Sequence, residues 1–290
     1  MKSYYENIVM NDNKFRIKSF LRHTFDDVLE AHPHWHPEIE LLYFASGQAK
    51  QQINETFFTV GPGDVVVIGK DQLHSTYSYK GCESEILVVQ FDAENVLESI
   101  DSSCRNKPYV FGEHVIYPNP LSKDLADKYG ISELLKAIHR ELTDTSEAFE
   151  FFIRSALYQL TGILAREGLY RIEYVDRENM ELARKVLDRT FLLIDQCYCQ
   201  EIALLDAANA SNLSKTHFCR LFKKSTGMTF MDYLTFYRIN RAERMLRTSD
   251  SITEVAHECG FGSLSSFIRN FKRFKKCTPS TYKALLNKRT

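Results

Sequence analysis

The chain has 290 residues, of which 44% are hydrophobic and 26% are charged, and its formal net charge is −1. A chain of this length and apolar content can bury two separate cores. No apolar run approaches the ~18 residues that a membrane helix needs. The first ten residues are polar and do not resemble a secretory leader.

Seven cysteines occur at irregular spacing and form no CxxC pair, which favours reduced thiols over a disulfide framework. A redox switch through Cys219, or through the close pair Cys197 and Cys199, is the alternative. The cysteines therefore indicate a protein of a reducing compartment.

Residues 15–91 show short runs of β-branched and aromatic residues between turn-forming glycines such as Gly47, Gly63 and Gly81. Evenly spaced short strands predict a β-sandwich or barrel. The clearest runs are 38–44, 51–53, 65–68 and 85–91.

One of these runs carries a line of ionisable side chains. Even-numbered positions of a strand share a face, so His34, His36, Glu38 and Glu40 are expected to point together. Such a face is ordinary if it meets water and is a site if it lines an interior. Two imidazoles and a carboxylate, joined by His74 from another strand, would suit Zn²⁺, Mn²⁺ or Fe²⁺.

Residues 131–142 and 147–166 carry apolar side chains at helical spacing, and packing against the strands suffices to explain one stripe of each helix. Residues 168–178 are polar without a pattern, so we expect a linker there. Residues 179–199 are expected to form the helix that opens the next domain. The stripe of the second helix comprises Phe149, Phe152, Ile153, Ala156, Leu157, Leu160 and Leu164.

Two segments, about 202–226 and about 252–275, repeat one pattern of helix, tight turn and helix. Their register is 49 residues, which aligns Phe218 with Phe267 and Arg220 with Arg269. A fixed internal period indicates a repeated structural unit.

Capping and turn residues support this interpretation. Ser214 and Ser263 can each cap the second helix of a copy, and Thr253 can cap the first helix of the second copy. Asn212 tolerates the left-handed conformation of the turn. A longer helix over about 230–248 joins the two copies.

The charge is divided unevenly along the chain. From residue 181 onward there are 19 lysines and arginines against 10 aspartates and glutamates, a formal charge of +9, and the rest of the chain carries −10. A helical bundle with a basic solvent face is the alternative explanation for the second half. The asymmetry, together with two helix-turn-helix patterns, favours nucleic-acid binding.

These residues carry a resemblance to the AraC/XylS family of transcription regulators. It rests on the run 214–222, Thr226-Gly227, Arg238 with Ala242, Ala256, Gly260-Phe261, Ser266-Phe267, Phe271, Thr278-Pro279 and Tyr282. The resemblance implies two DNA-binding units, each placing one helix in one of two successive major-groove segments. The implied DNA-contacting residues are Ser214, Lys215, Thr216, His217, Cys219, Arg220 and Lys223, and then Ser263, Leu264, Ser265, Ser266, Ile268, Arg269 and Lys272.

Three positions depart from the family pattern. Ala203 stands where a capping serine or threonine is usual, and Lys276 replaces a terminal glycine. The second reading helix is apolar at Leu264 and Ile268, so we expect weaker hydrogen-bonded readout there, with contacts to thymine methyl groups or phosphates.

The N-terminal half is similar to the cupin barrels. His34, His36, Glu40 and Gly47 match the first cupin motif in spacing, and Gly63 with His74 resembles the second. That second motif is imperfect, with Gly69, Asp71 and Ser78 at positions where proline, glycine and asparagine are usual. The resemblance implies an effector-binding domain.

Four interpretations of the ionisable line remain open: a pocket for a small ligand such as a sugar, a metal-assisted or metal-sensing site, a metal-dependent enzyme site, and structural polar residues. For the first, the effector-binding candidates are His34, His36, Glu38, Glu40 and His74. For the second, the metal ligands are His34, His36, Glu40 and His74. A divalent metal in the barrel is therefore a possible cofactor, and no other cofactor is indicated.

The predicted fold class is α+β with two domains. Residues 1–167 form a cupin-like β-barrel with helices, 168–178 a linker, and 179–290 an all-α domain with two helix-turn-helix units. We expect a bacterial, cytoplasmic and nucleoid-associated transcription regulator, not an enzyme, and family habit favours an activator. The expected partners are double-stranded DNA, a small-molecule effector, a second copy of the chain through the helices of 131–166, and RNA polymerase if the protein activates; no membrane contact is expected.

Overall fold

The computed structural model describes residues 15–24, 29–79, 82–97, 110–112, 114–173, 177–247, 251–275 and 277–287. The chain forms two compact units, within Tyr5–Val175 and Asp176–Thr290. We call the first the β domain and the second the helical domain. The expected α+β class with two domains is confirmed.

Eight strands build the β domain. They pair antiparallel in two four-stranded sheets, of order β1-β8-β3-β6 and β2-β7-β4-β5. The strands are β1 (Ile17–Thr24), β2 (Leu29–His34), β3 (Ile39–Ser46), β4 (Ala49–Ile53), β5 (Thr56–Val60), β6 (Val65–Ile68), β7 (His74–Ser78) and β8 (Ser84–Phe91).

Shorter elements and helices follow these strands. Strands β9 and β10 pair with each other, so the segment that follows α4 returns to the segment that precedes α2. The elements are α1 (Ala93–Leu97), β9 (Val115–Ile116), α2 (Lys123–Tyr129), α3 (Ile131–Asp144), α4 (Phe149–Arg166) and β10 (Arg171–Ile172).

The first sheet is buried on both faces, which explains its nearly continuous apolar sequence. One face meets the second sheet and encloses a core that we call the interior. Its members are Leu42, Phe44, Ala49, Ile53, Val60, Val66, Ile68, Ile86 and Val88. The other face packs against α3 and α4, through residues that include Leu41, Val67, Val89, Leu135, Ile138, Ile153 and Leu157.

The predicted helices of this domain are confirmed, with one error in the stripe of α4. Phe152 is 61% exposed, whereas Ile153 is fully buried. The buried stripe follows Ile153, Leu157 and Leu160, and Phe152 lies about 100° around the helix from Ile153. The stretch expected to be a linker contains β10, and the next helix begins at Arg177.

The described part of the helical domain contains seven helices. Helices α6 and α7 form the first helix-turn-helix unit, α9 and α10 form the second, and α8 joins them. The helices are α5 (Arg177–Cys197), α6 (Leu204–Ala210), α7 (Lys215–Thr226), α8 (Phe230–Met245), α9 (Ile252–Glu258), α10 (Leu264–Lys275) and α11 (Pro279–Asn287). None of the described helices is both long and apolar enough to cross a membrane.

Local signals account for these helix ends. The hydroxyls of Ser214 and Ser263 accept backbone N–H groups of the first turns of α7 and α10. Asn212 takes a left-handed φ of 55° and Gly260 a φ of 77°. The prediction that Thr253 caps α9 is wrong, because Ser251 lies immediately before the helix and accepts the Glu254 N–H at 3.2 Å.

Candidate ligand site and nucleic-acid interface

Four ionisable side chains meet at one end of the interior of the β domain. His34 ends β2 and pairs in register with His74, which begins β7, while Glu40 lies on β3. His36 lies between β2 and β3. Each residue offers one ligand atom, and these four atoms lie within 4.8 Å of one another. We call His34, His36, Glu40 and His74 the histidine cluster.

Backbone carbonyl groups fix the orientation of two of the imidazole rings. His36 Nδ1 lies 3.0 Å from the Glu38 carbonyl oxygen, and His74 Nδ1 lies 2.8 Å from the Gln72 carbonyl oxygen. Because a carbonyl oxygen only accepts, each Nδ1 carries the proton and donates it. The Nε2 atoms of both rings are therefore directed towards the carboxylate of Glu40.

The Glu40 carboxylate lies at the centre of the cluster. Its Oε2 atom is 3.1 Å from His36 Nε2 and 3.7 Å from His74 Nε2, and it accepts a hydrogen bond from Gln90 Nε2 at 2.6 Å. A lone pair on His36 Nε2 would repel this oxygen at 3.1 Å. The contact is favourable when a proton or another cation lies between the two atoms.

Burial and the neighbouring charges set the ionisation of the cluster. Burial alone would raise the pKa of Glu40, but the hydrogen bond from His36 and the electrostatic influence of the His36 and His74 imidazoles hold that pKa well below its ordinary value. Burial, followed by the charge of His34, lowers the pKa of His74 to about 4. Near neutral pH the cluster thus combines a carboxylate with a neutral His74 imidazole.

This donor set fits a divalent transition-metal ion. Imidazole and carboxylate ligands suit Zn²⁺, Fe²⁺ and Mn²⁺. Metal-binding histidines usually donate their second ring nitrogen to a carbonyl or carboxylate oxygen, as His36 and His74 do here. His74 Nε2 is buried and has no hydrogen-bond partner among the described residues, which is also what a ligand atom would show.

Glu38 is not among the four residues of the histidine cluster, although its Oε2 atom lies 3.8 Å from His36 Nδ1. Pro37 separates the end of β2 from the start of β3, which resets the alternation of side chains. Glu38 is buried and pairs instead with Arg16 at 3.1 Å. Arg16 also forms an ion pair with Asp92 at 2.8 Å, so this arginine links Glu38 to Asp92.

Three buried polar residues that the sequence did not single out lie on the strands beside the cluster. Gln90 faces Glu40 across the β3–β8 pair, and Gln51 accepts a hydrogen bond from Thr76 at 2.8 Å across the β4–β7 pair. The Oε1 atom of Gln90 has no hydrogen-bond partner among the described residues. Alternation along β8 could have indicated Gln90 only if the pairing register had been known.

The first reading helix, α7, has one buried and one exposed face. Phe218 and Phe222 are fully buried and pack with Phe191, Phe230 and Tyr233. The opposite face is solvent-accessible, as expected for a helix that meets DNA. Its predicted contact residues Ser214, Lys215, Thr216, Cys219, Arg220 and Lys223 are exposed, and His217 is half-buried.

The second reading helix, α10, repeats this arrangement. Phe267 and Phe271 are fully buried against residues of α8 and α9. Leu264 and Ile268 are 38% and 37% exposed, one helical turn apart. Of the other predicted contact residues, Ser263, Ser265, Arg269 and Lys272 are exposed and Ser266 is half-buried.

Two arginines of α8 have structural partners. Arg238 donates to the carbonyl oxygens of Tyr198 and Gln200 after α5, at 2.7 Å and 2.6 Å. Arg241 bonds Asp195 at 2.7 Å. These contacts hold α8 to α5, so part of the positive charge of the domain stabilises the fold rather than facing solvent.

Among the described cysteines, Cys219 is exposed on α7. Within the described residues, Cys197 is half-buried and Cys199 is exposed.

Comparison with known families and proteins matches both domains. Residues 21–161 match the AraC-like ligand binding domain, and residues 207–284 match a helix-turn-helix domain. The chain is 28% identical over 253 residues to the uncharacterized HTH-type transcriptional regulator YdeC of Bacillus subtilis, covering 87% of this chain and 86% of that protein.

Two further relatives cover parts of the chain. The transposon Tn10 TetD protein of Escherichia coli is 38% identical over 114 residues, which are 39% of this chain and 80% of that protein. The lactose operon transcription activator of Staphylococcus xylosus is 25% identical over 175 residues, 60% of each chain. The chain therefore belongs to the AraC family: it is a DNA-binding transcription regulator with a ligand-binding domain, and not an enzyme.

Proposed function

We propose that this regulator activates transcription when a small molecule, of the sugar class, binds at the histidine cluster. The observation that carries the proposal is a pair of buried acceptor atoms, His74 Nε2 and Gln90 Oε1, without hydrogen-bond partners among the described residues. An unsatisfied buried polar atom costs about 1–3 kcal/mol, so a ligand that donates to both atoms gains affinity from them.

A sugar supplies the required chemistry because each hydroxyl group both donates and accepts hydrogen bonds. The cluster offers the Glu40 carboxylate and imidazole nitrogens, and the buried Gln51 and Thr76 add polar atoms on neighbouring strands. The rest of the interior is apolar, as expected for a ligand site with a few convergent polar groups. The name of the Staphylococcus xylosus relative, a lactose operon transcription activator, supports both the sugar and the activation.

Histidine variants test the binding site directly. Full-length protein carrying His36→Ala should lose at least about tenfold in affinity for a sugar found by screening a monosaccharide and disaccharide panel, since it loses a buried polar contact. His23→Ala is the matched control, because His23 lies on β1 of the same domain and its side chain is 54% exposed. Calorimetric titrations that are identical for wild type and His36→Ala would remove the cluster from the effector site.

Activation is tested by transcription in vitro with purified RNA polymerase on a promoter recovered by the protein from genomic DNA. The ligand shifts the regulator only if it binds the DNA-competent state more tightly than the other state. Transcript yield should rise when protein and sugar are both present. A fall in yield would assign repression and overturn the activator proposal.

We also propose a homodimer formed through α4. Phe151 and Phe152 are 76% and 61% exposed at the start of this helix, which supports an apolar contact with a second copy. Sedimentation velocity should show a dimer for the wild-type chain and a monomer for the double variant Phe151→Ser, Phe152→Ser. A dimer in both proteins would place the interface elsewhere.

A divalent metal ion at the cluster is a second candidate, favoured by the two Nδ1–carbonyl hydrogen bonds that direct Nε2 atoms towards Glu40. His34, His36, Glu40 and His74 would hold the ion, which would supply a positive charge able to bind a ligand oxygen. The ion would also supply positive charge beside the Glu40 carboxylate, whose Oε2 atom lies 3.1 Å from His36 Nε2.

Metal analysis distinguishes the two candidates. One equivalent of metal per chain, retained after gel filtration and lost in His74→Ala but kept in His23→Ala, would support the metal site. A Co²⁺-loaded protein should then show ligand-field absorption bands that are missing in His74→Ala. If chelator-treated protein retains no metal and still binds the sugar with unchanged affinity, the metal site is contradicted and the sugar remains the proposed effector.

A further inference from the structure

We infer that the two reading helices recognise bases by different chemistry: α7 by hydrogen bonds, and α10 by apolar contact of Leu264 and Ile268 with the 5-methyl groups of thymine. This inference rests on the proposed role of α7 and α10 as the helices that enter the major groove. It predicts in addition that the major-groove segment contacted by α10 contains thymine.

The 49-residue repeat provides an internal comparison of the two outward faces. The predicted contact residues align as seven pairs, and five of these pairs are polar in both helices: Ser214 with Ser263, Thr216 with Ser265, His217 with Ser266, Arg220 with Arg269, and Lys223 with Lys272. The other two pairs change from a polar or polarisable side chain to an aliphatic one. They are Lys215 with Leu264, and Cys219 with Ile268.

These two changes fall on the same line of the helix. Leu264 and Ile268 are four residues apart, so they lie next to each other on the outer surface of α10. They are 38% and 37% exposed, whereas Phe267 and Phe271 on the opposite side are fully buried. The aliphatic pair is therefore additional to the core of the unit and is available for contact.

The surroundings of the pair favour DNA as its occupant. Arg269 and Lys272 are exposed on α10, and cationic side chains beside the pair complement phosphates, whereas Arg273 of the same helix pairs with Asp232 at 2.7 Å. Within the major groove, the 5-methyl group of thymine is the apolar feature of a base edge, and aliphatic side chains contact it. Ser265 lies beside Leu264 in the sequence, and its hydroxyl group can form a hydrogen bond with any of the bases.

The test uses the duplex that the full-length protein selects from a random-sequence library. Each thymine of that duplex is replaced in turn by deoxyuridine, which removes the methyl group and keeps the base pair. We expect a loss of about fourfold in affinity for each methyl group contacted, in one of the two segments. The ratio should not change between two salt concentrations, because the contact releases no counterions.

Variants assign the effect to the helix. Leu264→Ala with Ile268→Ala should bind thymine and deoxyuridine duplexes equally, while Thr216→Ala with Cys219→Ala on α7 should keep the deoxyuridine effect. All four side chains are exposed, and circular dichroism of each variant confirms that the fold is retained.

Three outcomes would count against the inference, and they separate it from the proposed function. Sequence-specific binding without any deoxyuridine effect would be consistent with the proposed regulator but would contradict the proposed contact with thymine methyl groups. A deoxyuridine effect that persists in the Leu264, Ile268 variant assigns the methyl contact to other residues. Failure to select any sequence contradicts specific DNA binding itself, and the inference falls with it.

Discussion

The two helix-turn-helix units have the same outline but are held together differently. The first has a turn of four residues between α6 and α7 and a core of packed aromatic rings around Phe191 and Phe222. The second has a turn of five residues between α9 and α10, and its packed rings around Phe267 and Phe271 include Phe261 and, from α11, Tyr282. A repeated motif thus sets the path of the backbone, while each copy obtains its stability from its own contacts.

The last residue of each reading helix shows this difference most clearly. Thr226 ends α7, and its buried hydroxyl donates to the Phe222 carbonyl oxygen at 2.8 Å. The aligned Lys275 ends α10, and its buried ammonium group pairs with Glu243 of α8 at 2.5 Å. Tyr282 of α11 donates to the same carboxylate. The second reading helix is therefore tied to two other helices through one carboxylate.

The largest expected effect follows from breaking that ion pair. Lys275→Met should destabilise the helical domain by about 3–5 kcal/mol, because it leaves the largely buried Glu243 carboxylate without its cation. The matched change in the first unit, Thr226→Val, removes the hydroxyl contacts with the Phe222 carbonyl oxygen and the Met228 backbone and should cost about 1–2 kcal/mol. Urea unfolding of both full-length variants, followed by circular dichroism, compares the two. Similar losses would mean that the two helix ends are fastened equally.

The same ion pair predicts how stability depends on pH. Burial alone would raise the pKa of Glu243, but Lys275 and the Tyr282 hydroxyl lower it below the ordinary value of 4.5. A depressed folded-state pKa stabilises the fold above the ordinary value, and this contribution is lost as the pH falls through the folded-state pKa. Acid titration of the melting temperature below pH 4.5 should show this loss in the wild type and less of it in Lys275→Met.

The two turns should differ in their tolerance of substitution. Gly260 has a φ of 77°, and a Cβ atom there would lie 2.6 Å from the Tyr198 carbonyl oxygen. Gly260→Ala should therefore cost about 1–3 kcal/mol. Asn212 has a φ of 55° that asparagine tolerates, so Asn212→Gly should change stability by less than about 0.5 kcal/mol. Thermal unfolding of the pair measures the contrast, and an unaffected Gly260→Ala would contradict it.

The aligned arginines should affect DNA binding in different ways. Arg220→Ala should weaken binding by about 1–3 kcal/mol and relax specificity at one base pair, as expected for an arginine that reads guanine. Arg269→Ala should weaken binding to all sequences alike and reduce the salt slope by about one, as expected for a phosphate contact. Anisotropy titrations on matched and mismatched duplexes separate the two patterns. A uniform loss in Arg220→Ala would remove its assigned role.

The smallest effect concerns the first helix of each unit. Ser251 caps α9 through its hydroxyl, and Ser251→Ala should cost about 1 kcal/mol. Ala203 occupies the capping position of α6 and has no such hydroxyl, although Asp206 accepts its N–H at 2.8 Å. Ala203→Ser should add a few tenths to about 1 kcal/mol of stability. The melting temperature should fall for Ser251→Ala and rise for Ala203→Ser. A change in the same direction for both variants would contradict the capping role assigned to these two positions.

The sequence by itself determined the local part of this protein. The capping serines Ser214 and Ser263 and the turn at Asn212 depend on residues only a few positions apart, and the 49-residue repeat is visible by comparing the sequence with itself, so these features can be identified without a fold. The spacing of His34, His36 and Glu40 also predicted three members of the histidine cluster. The fourth member, His74, was predicted from the resemblance to the second cupin motif.

Only the tertiary structure decided which side chains face one another across strands and helices. Gln90 reaches Glu40 through the register of β3 with β8, Glu38 turns to Arg16 after Pro37, and Lys275 pairs with Glu243 at a separation of 32 residues. Such contacts depend on pairing register and helix packing, which are set by the burial of the whole core rather than by neighbouring residues. The motifs of the chain could therefore be identified from sequence, but the partners that hold and orient their side chains required the fold.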